Sequence, residues 1–153
     1  MAGYVLLDRF APVLVSRRVG PMNAESMTSL RNDVNARMRA SNEKIALVYD
    51  ALPSAAGPPD AAARKVVADW WREDRELLVR RCASIEFSLP SAVSRGVLTA
   101  ILWIATPPIP TGVHSDSRTA VEAAIERAGR RGKIEPLSVL KALDALSTSA
   151  RAS

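Results

Sequence analysis

The 153-residue sequence predicts an α/β fold: a single-layer, mostly parallel sheet of four to five strands, with an N-terminal antiparallel pair and four to five helices. Apolar residues recur with a period of two in some segments and of about 3.6 in others, which separates strands from amphipathic helices. After the first two strands these segments alternate. Strands that alternate with helical crossovers are typical of a parallel sheet with right-handed connections.

The N-terminal pair consists of two apolar stretches, Tyr4 to Leu7 and Val13 to Val19, separated by the letters "DRFAP". Pro12 suits the start of a strand, because proline cannot donate a hydrogen bond within a ladder. In the second stretch valines alternate with polar residues, so we expect one buried face, with Ser16 and Arg18 in solvent. The pattern favours an outer or half-covered strand.

A helix and a central strand follow. Asn23 is a good N-cap, because its side-chain oxygen can accept from an unpaired amide of the first turn. The helix is expected to run to about Ser41, with one apolar stripe. The run "KIALVYD", Lys44 to Asp50, is almost continuously apolar, which predicts a strand covered on both faces. The stripe of the helix consists of Met27, Leu30, Val34 and Met38.

The letters "ALPSAAGPPD" predict a loop that ends at Asp60, the N-cap of the next helix. We expect that helix to span Ala61 to Cys82 and to be followed by a short strand, Ile85 to Leu89. A loop of this length is often functional.

The last third of the chain is predicted to hold three helices and a fifth strand. One helix opens at Pro90-Ser91 and ends at "TPPIP", and "TGVHS" forms the strand. The remaining helices span Ser117 to Ala128 and Pro136 to Ser147, and a fraying Ser/Thr/Ala tail follows. We divide the chain into an α/β domain, residues 1–130, and a C-terminal helix with a flexible tail, residues 131–153.

Composition restricts the classes of function. The net charge of +5 and the pI of about 10 would suit an anionic partner. However, the basic residues are scattered among carboxylates, and only 5% of residues are aromatic, which argues against nucleic-acid binding. No apolar run approaches the ~20 residues of a membrane span, and we expect no signal peptide. The lone Cys82 excludes an internal disulfide and agrees with a cytoplasmic location.

The segment "VLVSRRVGPMNAESMTSLRNDV" resembles the second strand and first helix of STAS domains, the fold of anti-sigma factor antagonists, and of the SpoIIAA-like group. In that family a strand ends in glycine, followed by Leu or Met, by Asp or Asn, and later by a helical leucine. Here these positions are Gly20, Met22, Asn23 and Leu30. The following "KIALVYDAL" is similar to the central strand of the family. The family's Asp-Ser-Ser-Gly-type phosphoserine turn is missing.

The resemblance implies a non-catalytic regulatory or scaffolding module of bacterial-type signalling that binds another protein and needs no cofactor. Its partner surface would include the Pro53–Asp60 loop and the start of the next helix, with Ala63, Arg64 and Val67. Ser54 is the only hydroxyl in the loop, and it is the candidate for phosphorylation. A homo-oligomer through the C-terminal helix is a further expectation.

The residues leave other functions open. Trp70 and Trp71 lie about 100° apart on a helix, so we expect one in the core and the other at an exposed surface or a partner groove. A small enzyme could use His114, with Asp116 as the nearest carboxylate in sequence, or Cys82. The third alternative is a basic domain that binds nucleic acid or anionic lipid. We assign no metal ligands.

Overall fold

The computed structural model of the chain describes residues 3–51, 59–89 and 92–152, without the side chains of Ser94, Trp103 and Ile104. Its strands are β1 (Tyr4–Leu7), β2 (Val13–Arg18), β3 (Ile45–Asp50), β4 (Cys82–Ser88) and β5 (Thr111–His114). Its helices are α1 (Ala24–Ala40), α2 (Ala61–Glu73), α3 (Arg75–Arg81), α4 (Ala92–Ile104), α5 (Ser117–Arg127) and α6 (Pro136–Ala152).

The five strands form one sheet in the order β1-β2-β3-β4-β5. The first pair is antiparallel, and every later pair is parallel. The predicted α/β class and the antiparallel pair are therefore confirmed. Each parallel strand is added on the same side of the previous one, so right-handed crossovers place α1 to α4 on one face of the sheet. The chain then crosses over, and α5 and α6 cover the opposite face.

Strand β2 is an internal strand, so its prediction as an outer or half-covered strand is wrong. It lies between β1 and β3, and helices cover both of its faces. Ser16 and Arg18, predicted to meet solvent, are only 2% and 6% exposed. They share the α1–α4 face with Leu14, whereas Arg17 points to the α5–α6 face.

Helix α1 follows its prediction closely. The side chain of Asn23 accepts a hydrogen bond from the backbone N–H of Ser26 at 2.9 Å, as expected of an N-cap. The apolar stripe Met27, Leu30, Val34 and Met38 is buried against the sheet and α2.

The helix expected over Ala61 to Cys82 is interrupted, and Cys82 is the first residue of β4 rather than the end of a helix. The interruption lies at Asp74, whose backbone leaves helical geometry with ψ 25°. Its carboxylate accepts hydrogen bonds from Arg31 Nε at 3.0 Å and Asn35 Nδ2 at 2.8 Å, both on α1. At the break between α2 and α3, the Asp74 side chain therefore joins these helices to α1.

Helix α6 packs on its own domain. Val139 and Leu143 are fully buried against α5 and the first strands. The helix continues to Ala152, past its expected end at Ser147, and the flexibility of the tail stays a prediction. A homo-oligomer through this helix stays a prediction. Leu137 is a large apolar side chain of α6 that remains 53% exposed and could contribute to such a contact.

Gly112 and Gly96 differ in how much space surrounds them. A Cβ atom on Gly112 in β5 would stand 2.1 Å from Glu86 Oε1 and 2.8 Å from His114 Nε2. We expect Gly112→Ala to lower the free energy of unfolding by about 1–3 kcal/mol, because the buried pair must shift. The matched control is Gly96→Ala in α4, where a Cβ would meet no described atom within 4 Å.

Urea denaturation of both variants measures the difference. The control should raise the free energy of unfolding by about 0.5–1 kcal/mol, since alanine is the better helix former. Changes of the same sign in the two variants would contradict the close packing around Gly112.

Candidate functional site

Helix α2 carries most of the residues that the sequence suggests for a partner surface. The Asp60 carboxylate accepts from the backbone N–H of Ala63 at 2.8 Å and caps the helix. Arg64 Nη1 donates to the carbonyl oxygen of Pro59 at 2.9 Å. Ala63, however, is fully buried, so it belongs to the core and not to a surface. Ser54 lies outside the described residues.

Both tryptophans are buried, at 4% and 2% exposure, so the prediction that one borders an exposed surface is wrong. The reason is that α2 packs against α1 and α4 as well as the sheet. Trp70 Nε1 donates to Asn35 Oδ1 on α1 at 3.0 Å. The ring of Trp71 meets Phe87 of β4 edge-on, with 6.2 Å between the ring centroids.

The two tryptophans nevertheless line one cavity, between the sheet and helices α1, α2 and α4. It has a volume of about 70 Å³ and reaches the carboxyl ends of β2, β3 and β4. Ligands of α/β proteins bind at this edge of the sheet. The apolar part of the wall includes Met27, Leu47, Val67, Phe87 and Ile101.

Arg18 is the most unusual polar group in the cavity wall. The residue is only 6% exposed, and its Nε donates to the carbonyl oxygen of Gly20 at 2.8 Å. Its terminal nitrogens have neither a carboxylate nor a hydrogen-bond acceptor among the residues that the structure describes. A buried cation without a counter-charge is unfavourable for folding alone.

Tyr49 on the neighbouring strand lines the same wall. Its ring is partly accessible, whereas its hydroxyl oxygen is buried without a hydrogen-bond partner in the described part of the chain. Burial raises the pKa of Tyr49 to about 12, and the nearby charge of Arg18 acts in the opposite direction. The hydroxyl therefore stays protonated and can donate.

The described wall of the cavity carries positively charged side chains and no negatively charged ones. Arg18 and Arg64 both line it, and the described lining residues include no Asp or Glu. The hydroxyl of Ser16, also in the wall, already donates to the carbonyl oxygen of Val48 at 3.3 Å. The arrangement can therefore attract a negative charge into an apolar space.

The opposite face of the sheet carries a satisfied polar cluster. Arg17 Nε donates to Asp50 Oδ2 at 2.7 Å, and Arg17 Nη1 also binds the Asp144 carboxylate. Ser117 Oγ donates to Asp50 Oδ1 at 2.9 Å. Arg17 and Asp50 are 4% and 1% exposed, so this is a buried ion pair that ties α5 and α6 to the sheet.

His114 lies on the same face as Arg17, where Glu86 orients it. The His114 Nε2 to Glu86 Oε1 distance is 2.9 Å, and Glu86 Oε2 has no partner among the described residues. The sequence suggested Asp116 for this role. Asp116 instead accepts from the backbone and hydroxyl of Thr119 and caps α5.

Cys82 is buried at the start of β4, and its thiol lies 3.4 Å from the carbonyl oxygen of Ser84. Burial raises the pKa of this thiol to about 12. The nucleophilic form is the thiolate, so the folded chain keeps Cys82 in its unreactive form at neutral pH.

None of the helices in the described segments is both long and apolar enough to cross a bilayer. Within the same segments, no group of three or more His, Cys, Asp or Glu side chains is placed to hold a metal ion. In comparisons with known proteins, no family model and no curated protein matches the chain.

Proposed function

We propose that the chain is a non-catalytic regulatory or scaffolding module, similar to STAS domains, that binds another protein at the rim of the cavity. The observation that carries the proposal is the placement of two helix starts. Helices α2 and α4 follow β3 and β4, so both begin at the carboxyl edge of the sheet, which the cavity reaches. Asp60, Ala61, Ala62, Ala92 and Val93 are exposed in these starts.

The chemistry of the cavity wall supports a binding role over a catalytic one. General acid–base or nucleophilic catalysis needs a carboxylate, an imidazole or a thiol near the substrate. The described lining residues include none of these groups. His114 lies on the opposite face of the sheet, and Cys82 has a buried, protonated thiol.

The alternative of a basic nucleic-acid or anionic-lipid surface receives less support. Three arginines with solvent-accessible side chains are paired with carboxylates, which leaves less free positive charge for a polyanion. Arg37 binds Asp8, Arg118 binds Glu122 and Arg130 binds Glu43. Binding that weakens steeply with salt would favour this alternative.

Phosphorylation of Ser54 is part of the proposal, because Ser54 is the only hydroxyl in the loop that follows the central strand, where the family carries its phosphoserine turn. It would add about −1.5 to −2 charges to this loop. Intact-mass measurement of the chain isolated from its native cell tests it directly.

A pair of exposed valines tests the proposed rim. Val93, 65% exposed in the first turn of α4, lies at the rim; Val79, 43% exposed on α3, precedes β4 and lies away from it. We expect Val93→Asp to reduce capture of a protein partner at least about tenfold, because a charge enters a partly apolar contact. Val79→Asp should capture the same partner as the wild type.

Quantitative affinity capture of the three proteins, followed by binding measurements with the purified partner, gives the result. Both valines are exposed, so neither substitution disturbs the core. Equal binding by all three would place the partner surface elsewhere, and no partner retained by the wild type would remove the proposal.

A further inference from the structure

Two consecutive arginines of β2 are both buried, but they differ in whether a carboxylate neutralises them. Arg17 and Arg18 are almost equally buried, at 4% and 6% exposure, and they point to opposite faces of the sheet. Arg17 is neutralised by the carboxylates of Asp50 and Asp144. The described structure gives Arg18 only the backbone carbonyl of Gly20. The fold therefore supplies a counter-charge for one buried guanidinium and not for the other.

Tyr49 places a buried hydroxyl beside Arg18, and this hydroxyl has no hydrogen-bond partner among the described residues. In the parallel register Ser16 is opposite Tyr49, so Arg18 is the diagonal neighbour of Tyr49 on the same face of the sheet. Diagonal neighbours remain within reach of long side chains. A guanidinium and a phenol donate hydrogen bonds in this protonation state, and a carboxylate oxygen accepts them.

The rest of the cavity suits an apolar body. Trp70, Trp71, Phe87, Leu98 and Ile101 form walls that offer contact area but few polar partners. Arg64, half-buried in the wall, adds positive potential, since its described contact is a neutral carbonyl. A neutral apolar ligand would leave Arg18 unpaired, and a cation would be repelled by both arginines.

We propose that the cavity binds a small anionic amphiphile, with its carboxylate head at Arg18 and Tyr49 and its apolar body among the aromatic and aliphatic walls. This inference goes beyond the proposed module, because it concerns a small molecule inside the domain. It needs only the purified chain, so failure to find a protein partner leaves it standing.

Titration calorimetry of the purified full chain with decanoate tests the proposal, with indole-3-propionate as an aromatic carboxylate and 1-decanol as the neutral analogue of decanoate. We expect at least one of the two carboxylates to bind saturably. If decanoate binds, it should bind more tightly than decanol. Arg18→Met should weaken carboxylate binding at least about tenfold, and Tyr49→Phe should weaken it about threefold or more. Arg118→Met removes the same charge from an arginine on α5 that is 60% exposed, and it should bind like the wild type.

Thermal unfolding without ligand separates lost binding from lost folding. Arg18→Met removes a buried charge that lacks a counter-charge among the described residues, and Tyr49→Phe removes a buried hydroxyl that lacks a hydrogen-bond partner among them. We therefore expect both variants to unfold at or above the temperature of the wild type. If neither carboxylate binds saturably, or if Arg18→Met binds the carboxylate as tightly as the wild type, the proposal is wrong. Decanol that binds as tightly as decanoate would also overturn it, because the head group would then not be recognised.

Discussion

Asp50→Ala is expected to lower the free energy of unfolding by about 3–5 kcal/mol, because it leaves the buried guanidinium of Arg17 without its buried counter-charge. Asp50 is 1% exposed, and one of its oxygens accepts from Arg17 Nε at 2.7 Å. Its other oxygen accepts from Ser117 Oγ at 2.9 Å, so the substitution also loosens the start of α5. Urea denaturation followed by circular dichroism measures the change.

Asp144→Ala is the matched control, since Asp144 also binds Arg17 but its side chain is 69% exposed. Solvent already screens this second pair, so we expect a loss of at most about 1 kcal/mol. The double substitution Arg17→Met and Asp50→Leu removes both buried charges and should recover most of the loss. If Asp50→Ala and Asp144→Ala proved equally harmful, the buried pair would not be the stabilising element that its geometry indicates.

The elements that the sequence predicts well are those determined by local patterns. The N-cap of α1 at Asn23 needs only its own first turn, and the apolar stripe needs only one covered face. The central strand β3 is recognisable because both of its faces are apolar. These signals are contained in short windows of sequence, so no knowledge of the tertiary structure is necessary.

The elements predicted wrongly depend on partners that are distant in sequence. Ser16 and Arg18 look like solvent-facing residues until helices from later in the chain cover their face of β2. The helix through Asp74 looks continuous until Arg31 and Asn35 on α1 use its carboxylate. The outward tryptophan was expected from helical geometry alone, whereas α1, α4 and β4 together surround α2.

The same reasoning explains which part of the candidate site was predicted. The sequence pointed to α2, through its cap and its aromatic residues, but it missed Arg18 and Tyr49. A signal was present, because a strand interior with consecutive arginines is unusual. Only the register of β2 with β3 shows that Arg18 and Tyr49 share one face and that Arg17 and Asp50 share the other.

This register connects stability with the proposed binding in the cavity. The pair Arg17–Asp50 anchors α5 and α6 on one face of the two central strands, and the same strands present Arg18 and Tyr49 to the cavity on the other. A charge that is held on a sheet is more precisely placed than one on a loop. The ion pair of Arg17 and Asp50 therefore provides a rigid support for Arg18 and Tyr49 on the opposite face.

High pH is expected to destabilise the fold strongly through Cys82. Burial raises the pKa of its thiol from 9.0 to about 12, so the folded chain keeps the proton that the unfolded chain releases above pH 9.0. The stabilisation from the neutral thiol is thus complete below pH 9.0 and is lost as the pH rises towards 12. Between pH 8 and pH 11 this amounts to about 2–3 kcal/mol. Tyr49, whose pKa rises from 10.0 to about 12, adds about 1 kcal/mol over the same range.

Urea denaturation at a series of pH values, with a reductant present, measures this loss in the wild type and in Cys82→Ala. The variant loses a small buried side chain, so we expect it to start less stable at pH 8. Its free energy of unfolding should then fall less steeply, because only the wild type has a thiol to ionise on unfolding. Tyr49→Phe removes the tyrosine contribution in the same way, while Tyr4, with a pKa also raised to about 12, stays common to all three proteins. Parallel curves for the wild type and Cys82→Ala would show that the thiol ionises as easily in the folded chain as in the unfolded one.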